Sequence, residues 1–172
     1  MEFVGCSMTE IIAEVAQNHE GSLLLAHSYI DALRFTGVDA VKFQCHLAEY
    51  ESSAQEPFRV RPSNQDATRY DYWRRMEFTP GQWQELADHA LAVGLEFLCS
   101  PFSVQAVDLL DPLVKRWKIA SGEATNTPMI ERIIETGKPV ILSTGMVDDD
   151  ERRPGHIGVA VQRGVGLTDG VI

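Results

Sequence analysis

The sequence predicts an α/β fold built on a parallel sheet, and three observations carry that prediction. Short apolar runs alternate with segments of helical period over residues 10–146. The apolar runs show no polar alternation, as expected of strands covered on both faces. The punctuation also repeats: Thr36-Gly37, Val93-Gly94 and Thr136-Gly137 each stand just before a strand-like run. From Cys99 to Lys118 is 19 residues and from Lys118 to Leu142 is 24, which is the repeat of a β/α unit.

The elements follow in order. The first strand lies in 10–16, the run Glu10-Ile11-Ile12-Ala13-Glu14-Val15-Ala16. Residues 22–36 place Leu23, Leu24, Ala26, Ile30, Leu33 and Phe35 near helical period, with Ser22 as N-cap and Gly37 as the stop. The second strand is 39–45. Residues 46–79 read as a long polar loop with Pro57, Pro62 and Ser63-Asn64, a length that usually marks function or disorder. A helix over about 80–93 starts at Pro80 and ends at Gly94. Strand three is 96–99, helix three about 103–111 and strand four about 116–120. Helix four is about 128–136 and strand five 139–143. Residues 147–172 hold five glycines and no aromatic residue, and they read as a divergent or poorly structured tail.

A chain of 172 residues with 44% hydrophobic and 23% charged residues is an ordinary globular domain. A net charge of −10 argues against nucleic acid as a partner, which requires a basic face. It leaves small anions open, because a local pocket can oppose the global charge. Cys6, Cys45 and Cys99 are odd in number and lack C-x-x-C spacing, so they read as reduced thiols of a cytoplasmic protein. No apolar run approaches a membrane span, and the N-terminus does not read as a secretory signal.

Two of the four lysines break the strand pattern. Lys42 lies in Asp39-Ala40-Val41-Lys42-Phe43-Gln44, and Lys118 lies in Trp117-Lys118-Ile119-Ala120-Ser121-Gly122-Glu123. Burying an unpaired ammonium is costly, so each needs a partner. A bound phosphate or carboxylate answers that need; snorkelling, or pairing with Glu14 or Glu123, is the plainer alternative. Lys42 and Gln44 share one strand face.

The polar residues gather where strands end: Gln17-Asn18-His19, Gln44, Ser100, Ser121 to Glu123, and Ser143-Thr144. In β/α folds that edge carries the site. Ser121-Gly122-Glu123 and Ser143-Thr144-Gly145 each set a hydroxyl beside a glycine, which suits an oxyanion cradle or an ordinary turn. Glu14 either pairs with a strand lysine or acts on substrate. Among the histidines, only His19 reads as lying beside a strand end, with His27 and His89 in helices. No H-x-H or H-E-x-x-H spacing assigns a metal site, and no G-x-G-x-x-G, Walker loop or G-x-S-x-G is present.

Five ordered motifs are more specific than any one alone. They are Ile11 to Ser22 (IIAEVAQNHEGS), Asp39 to Gln44 (DAVKFQ), Phe97 to Phe102 (FLCSPF), Lys118 to Glu123 (KIASGE) and Gly137 to Met146 (GKPVILSTGM). Together they resemble the sialic acid synthase family, whose members condense phosphoenolpyruvate with N-acetylmannosamine or a related amino sugar. The resemblance implies a TIM-type (β/α) barrel. It covers about five of the eight units and ends at Met146, so an incomplete barrel is expected over 1–146.

The resemblance also implies roles. Lys42 and Lys118 are expected to hold the phosphate and carboxylate of phosphoenolpyruvate, with Ser100, Ser121 and Ser143 as donors. Glu14 is expected to act near the sugar carbonyl, and Gln44, Glu123 and Asn64 to serve the sugar side. A divalent metal, manganese or magnesium, is implied, with histidine ligands that have no counterpart in this chain. A truncated or frame-shifted synthase of little or no turnover is therefore expected, and a homo-oligomer is compatible with it. Two other functions compete: a class I aldolase-like enzyme forming a Schiff base at Lys118, and a non-catalytic anion-binding remnant. The sugar itself is left open between N-acetylmannosamine, its 6-phosphate and bacterial deoxy-diamino sugars.

Overall fold

The computed structural model describes residues 9–58, 60–61 and 64–145. The expected tail over 147–172 and the thiol of Cys6 lie outside these residues.

Five strands alternate with helices in chain order. They are β1 (Ile12–Ala16), α1 (Leu23–Leu33), β2 (Ala40–Cys45), α2 (Ala48–Glu51), α3 (Arg69–Met76), α4 (Pro80–Ala92), β3 (Glu96–Pro101), α5 (Val104–Leu110), β4 (Trp117–Ile119), α6 (Thr127–Glu135) and β5 (Val140–Leu142). Strands β1, β2 and β3 pair in parallel in that order, and β4 pairs in parallel with β5. Strand β4 runs beside β3 without a shared ladder. Strand order that follows chain order, with helices between, is the pattern of a parallel β/α barrel, and five units are present among the described residues.

The strand alternation sorts the side chains. Val41, Phe43 and Cys45 of β2 join Phe97 and Cys99 of β3 and Trp117 and Ile119 of β4 in one hydrophobic core. The same core takes Ile30 of α1, Trp83 and Leu86 of α4, Val107 of α5 and Ile133 of α6. These residues therefore face the helices. Because side chains alternate along a strand, Lys42, Gln44, Leu98, Ser100 and Lys118 occupy the opposite, inner face.

The helix boundaries have local causes. Ser22 accepts from the Leu25 N–H, and Thr79 forms a capping box with Gln82 ahead of Pro80. Gly37, Gly94 and Gly137 all adopt positive φ, so the repeated glycine before each of these strands is a left-handed stop that a side chain would strain.

The segment 46–79 departs from the expected loop. It contains α2 and α3. Thr68 and Asp71 form a second capping box that starts α3, and Arg69 pairs with Glu56. Arg75 binds Asp66 through two nitrogens and donates to the Glu20 carbonyl, which ties the segment to the turn after β1. Low hydrophobicity hid these helices, because ion pairs and caps rather than an apolar stripe hold them.

Candidate active site

Glu14 and Lys42 are register partners on β1 and β2, and their side chains form an ion pair. The lysine side chain is 9% exposed and the carboxylate 44%, so the cation is buried and its partner reaches in from the open side. The β1–β2 register shifts between Glu14 and Ala16, and Ala16 has positive φ. Such an irregularity at a strand end re-aims neighbouring side chains.

Lys118 sits on the same inner face from β4. Its ammonium donates to Ser143 Oγ and to the Ile119 carbonyl at 3.1 Å. Among the described residues no carboxylate lies within ion-pair distance of it. Burial lowers its pKa to about 8, the charge of Lys42 pushes the same way, and Glu14 opposes both. The two ammonium groups thus feel each other, and one carboxylate serves the pair. That leaves an excess of positive charge suited to an anion.

The serines divide. Ser143 already touches Lys118. Ser100 is 1% exposed, and among the described residues its Oγ has no hydrogen-bond partner. A buried hydroxyl in that state fits a donor awaiting a ligand oxygen. Ser121 opens a 3-10 turn at Ser121–Glu123, directly after β4, where the sequence predicts a turn or an oxyanion cradle. Glu123 accepts from Asn126 Nδ2 at 2.8 Å, and burial raises its carboxyl pKa. Asn64 is exposed between α2 and α3, and no described hydrogen bond or ion pair joins it to the strand-end group.

The histidines need correction. His19 is fully buried against Phe78, its Nδ1 accepts the Gly21 N–H at 3.1 Å, and its Nε2 has no partner. Burial, then the charges of Arg75 and His46, lower its pKa to about 4, so the ring is neutral and serves packing. His46, which the sequence reading passed over, directly follows β2 and is 6% exposed. It stacks between Trp73 and Phe102, with ring centroids at 3.6 and 3.8 Å. Its Nδ1 lies 2.6 Å from Glu51 Oε2 and its Nε2 3.4 Å from Gln44 Oε1. The available signal was spacing: Lys42, Gln44 and His46 continue one alternating face. His27 and His89 bridge α1 and α4, away from the strand ends.

Among the described residues no three His, Cys, Asp or Glu side chains gather to hold a metal ion.

Comparison with known proteins identifies the family and the fold. The profile of the NeuB family matches residues 29–156. The N,N'-diacetyllegionaminic acid synthase of Legionella pneumophila is 35% identical over 170 residues, covering 96% of this chain and 48% of that protein. Human N-acetylneuraminate-9-phosphate synthase is 33% identical over 144 residues, covering 81% of this chain and 40% of that protein. The crystal structure of an N-acetylneuraminic acid synthetase from Leptospira borgpetersenii superposes with a TM-score of 0.75 at 24% identity, covering 91% of this chain and 51% of that one, which shows the shared fold. The chain spans about half the length of the curated relatives it matches, or less.

Proposed function

The chain belongs to the NeuB family, and we propose that it carries the phosphoenolpyruvate-holding part of a synthase that makes sialic-acid-type 2-keto sugar acids. One observation supports this reading above the rest. Lys42 on β2 and Lys118 on β4 occupy the inner face, Glu14 pairs with Lys42 alone, and the charges of both act on Lys118.

In this reading the two ammonium groups take the phosphate and carboxylate of phosphoenolpyruvate. Ser100, Ser121 and Ser143 supply hydroxyl donors, so the ligand oxygens exchange water for fixed dipoles in a partly dry site. Gln44, Glu123 and Asn64 serve the amino sugar. The C3 carbon of phosphoenolpyruvate bonds to the sugar aldehyde carbon, and water adds at C2. The bond between C2 and the phosphate oxygen then breaks, releasing phosphate and leaving a 2-keto acid. Glu14, which pairs with Lys42 and is half-open to solvent, is assigned the proton exchange at the sugar carbonyl oxygen in this reading. A divalent cation would polarise that carbonyl when bound. The described residues offer it no ligand set, so no role assigned to them passes through it. The cytoplasm suits the buried thiols of Cys45 and Cys99, which form no disulfide among the described residues.

The experiment is a calorimetric titration with phosphoenolpyruvate, paired with an assay for phosphate release and 2-keto acid from N-acetylmannosamine and manganese. Saturable binding that Lys118→Met abolishes supports the site, and turnover supports the reaction. Binding without turnover supports an anion-binding remnant. Absence of binding overturns the reading.

A second reading has its own support. An amine with its pKa near 8 and no carboxylate within ion-pair distance is a better nucleophile than an ordinary lysine. An imine at Lys118 would be trapped by borohydride with a ketone substrate, and that adduct would displace the synthase reading.

A further inference from the structure

We propose that His46 is a positioning residue that fixes the side chain of Gln44, and through it one wall of the sugar pocket. The proposal rests on the synthase reading for the word sugar, and on the structure for the positioning.

The ring is held on four sides. Trp73 of α3 stacks on one face with an interplanar angle of 10°, and Phe102, just after β3, covers the other at 24°. Glu51 Oε2 meets Nδ1, while Glu51 Oε1 accepts the Leu47 N–H at 2.7 Å. The Glu51 side chain is only 7% exposed, so this pair is sheltered from water. A nitrogen that faces a carboxylate oxygen at 2.6 Å carries the proton of that bond. The tautomer is thereby set with Nε2 as an acceptor, so the Gln44 carboxamide, 3.4 Å away, bonds to it by turning its N–H end to the ring, the flipped orientation of the same amide. The Gln44 main chain is pinned as well, because its carbonyl accepts from Gln17 Nε2 at 3.3 Å.

Held this way, one end of the carboxamide faces His46, and Gln44 shares its strand face with Lys42. Glu123, the other strand-end residue assigned to the sugar, feels the charges of Glu51 and His46. His46 therefore joins β2, the segment 46–79 and Phe102 after β3 at one point. Free rotation of Gln44 would cost side-chain entropy each time a ligand bound, and a fixed amide avoids that cost.

The test uses the full chain and a double-mutant cycle. Asparagine places an amide where Nδ1 stood, so His46→Asn keeps a donor for Glu51 and removes the partner of Gln44. We expect His46→Asn to raise the KM for the amino sugar about tenfold, the scale of one hydrogen bond and its preorganisation. The KM for phosphoenolpyruvate should stay unchanged. Gln44→Ala should raise the sugar KM similarly, and the double variant should be no worse than Gln44→Ala alone. Additive losses, or equal losses for both substrates, overturn the proposal.

A second readout does not need turnover. The side-chain amide protons of Gln44, followed by ¹⁵N-edited NMR, should exchange with water several-fold faster in His46→Asn and return toward the original rate in His46→Gln, which places an amide where Nε2 stood. Equal exchange in all three proteins overturns the positioning role. Wild-type protein that makes no 2-keto acid removes the synthase reading alone, and the NMR result still decides the fate of His46. If His46→Asn does not fold, His46→Leu, which fills the space between Trp73 and Phe102 without a polar edge, takes its place in both measurements, with the same expected and overturning results.

Discussion

Glu14 and Lys42 stand side by side on adjacent parallel strands and form an ion pair whose cation is buried and whose anion is not. That asymmetry makes the lysine the committed member. Solvent can accommodate Glu14 if it lets go, whereas Lys42 must keep an anion near it. A ligand phosphate can replace or share that role.

Lys42→Met should therefore abolish tight binding of phosphoenolpyruvate while leaving a folded protein. Truncating one member of a buried charge pair costs about 2–5 kcal/mol of binding, or roughly two to three orders of magnitude in affinity. Isothermal calorimetry at one ionic strength measures it. Unchanged affinity would remove Lys42 from the anion site.

Lys118 gives a dependence on pH with a defined sign. Its pKa is lowered from 10.5 to about 8 in the folded chain. Between those values the unfolded chain still binds the proton that the folded chain has released, so this group makes stability rise with pH across that window. Below about pH 8 its penalty is fully present. Lys118→Met should therefore raise the Tm of the ligand-free protein at pH 7 more than at pH 10. Phosphoenolpyruvate binding should weaken as pH passes 8, well before an ordinary lysine would titrate. A variant whose Tm gain does not vary with pH would contradict the assignment.

Ser100 should separate stability from binding. Its buried hydroxyl has no partner, so the folded protein already carries the desolvation cost of about 1–3 kcal/mol that an unsatisfied group incurs. Ser100→Ala is expected to leave the unfolding free energy within about 1 kcal/mol of wild type, or to raise it. The same change should weaken phosphoenolpyruvate binding roughly ten- to hundredfold, the worth of one hydrogen bond to a charged oxygen. Loss of stability without loss of affinity would mark Ser100 as purely structural.

Gly21 tests how the 46–79 segment is seated. It has a φ of +77°, and a Cβ there would be driven into the main-chain oxygen of Arg75. Gly37 has a φ of +81° and open space around it. Gly37→Ala should cost about 1–2 kcal/mol from backbone strain alone. Gly21→Ala should cost roughly 2–4 kcal/mol, because overpacking adds to that strain. Urea unfolding of the two variants gives the comparison, and equal losses would show that Arg75 yields easily.

Much of this architecture was visible in the residues. Strand positions came from apolar runs, and helix ends came from Ser22, Pro80, Gly37, Gly94 and Gly137, whose local chemistry needs no distant partner. The helices in 46–79 were not visible. Arg69 with Glu56 and Arg75 with Asp66 are bonds between residues 13 and 9 positions apart, and no periodicity announces them. His46 was missed for a related reason. Its meaning comes from Trp73 and Phe102, which lie far along the chain and meet it only in space.

From the residues alone came the β/α alternation, the strand faces, the family and the anomaly of two lysines in apolar strands. Those features are local: each depends on a residue's own chemistry and on a period of two or near four. Folding settled which partners the lysines take, that Glu14 serves Lys42 while Lys118 leans on Ser143, and that Ser100 keeps a buried hydroxyl unpaired. It also settled that His46, rather than His19, stands at the inner edge of the strands. Those are long-range pairings, set by lateral strand register and by the energy of burying charge, and neither quantity is written in the spacing of residues along the chain.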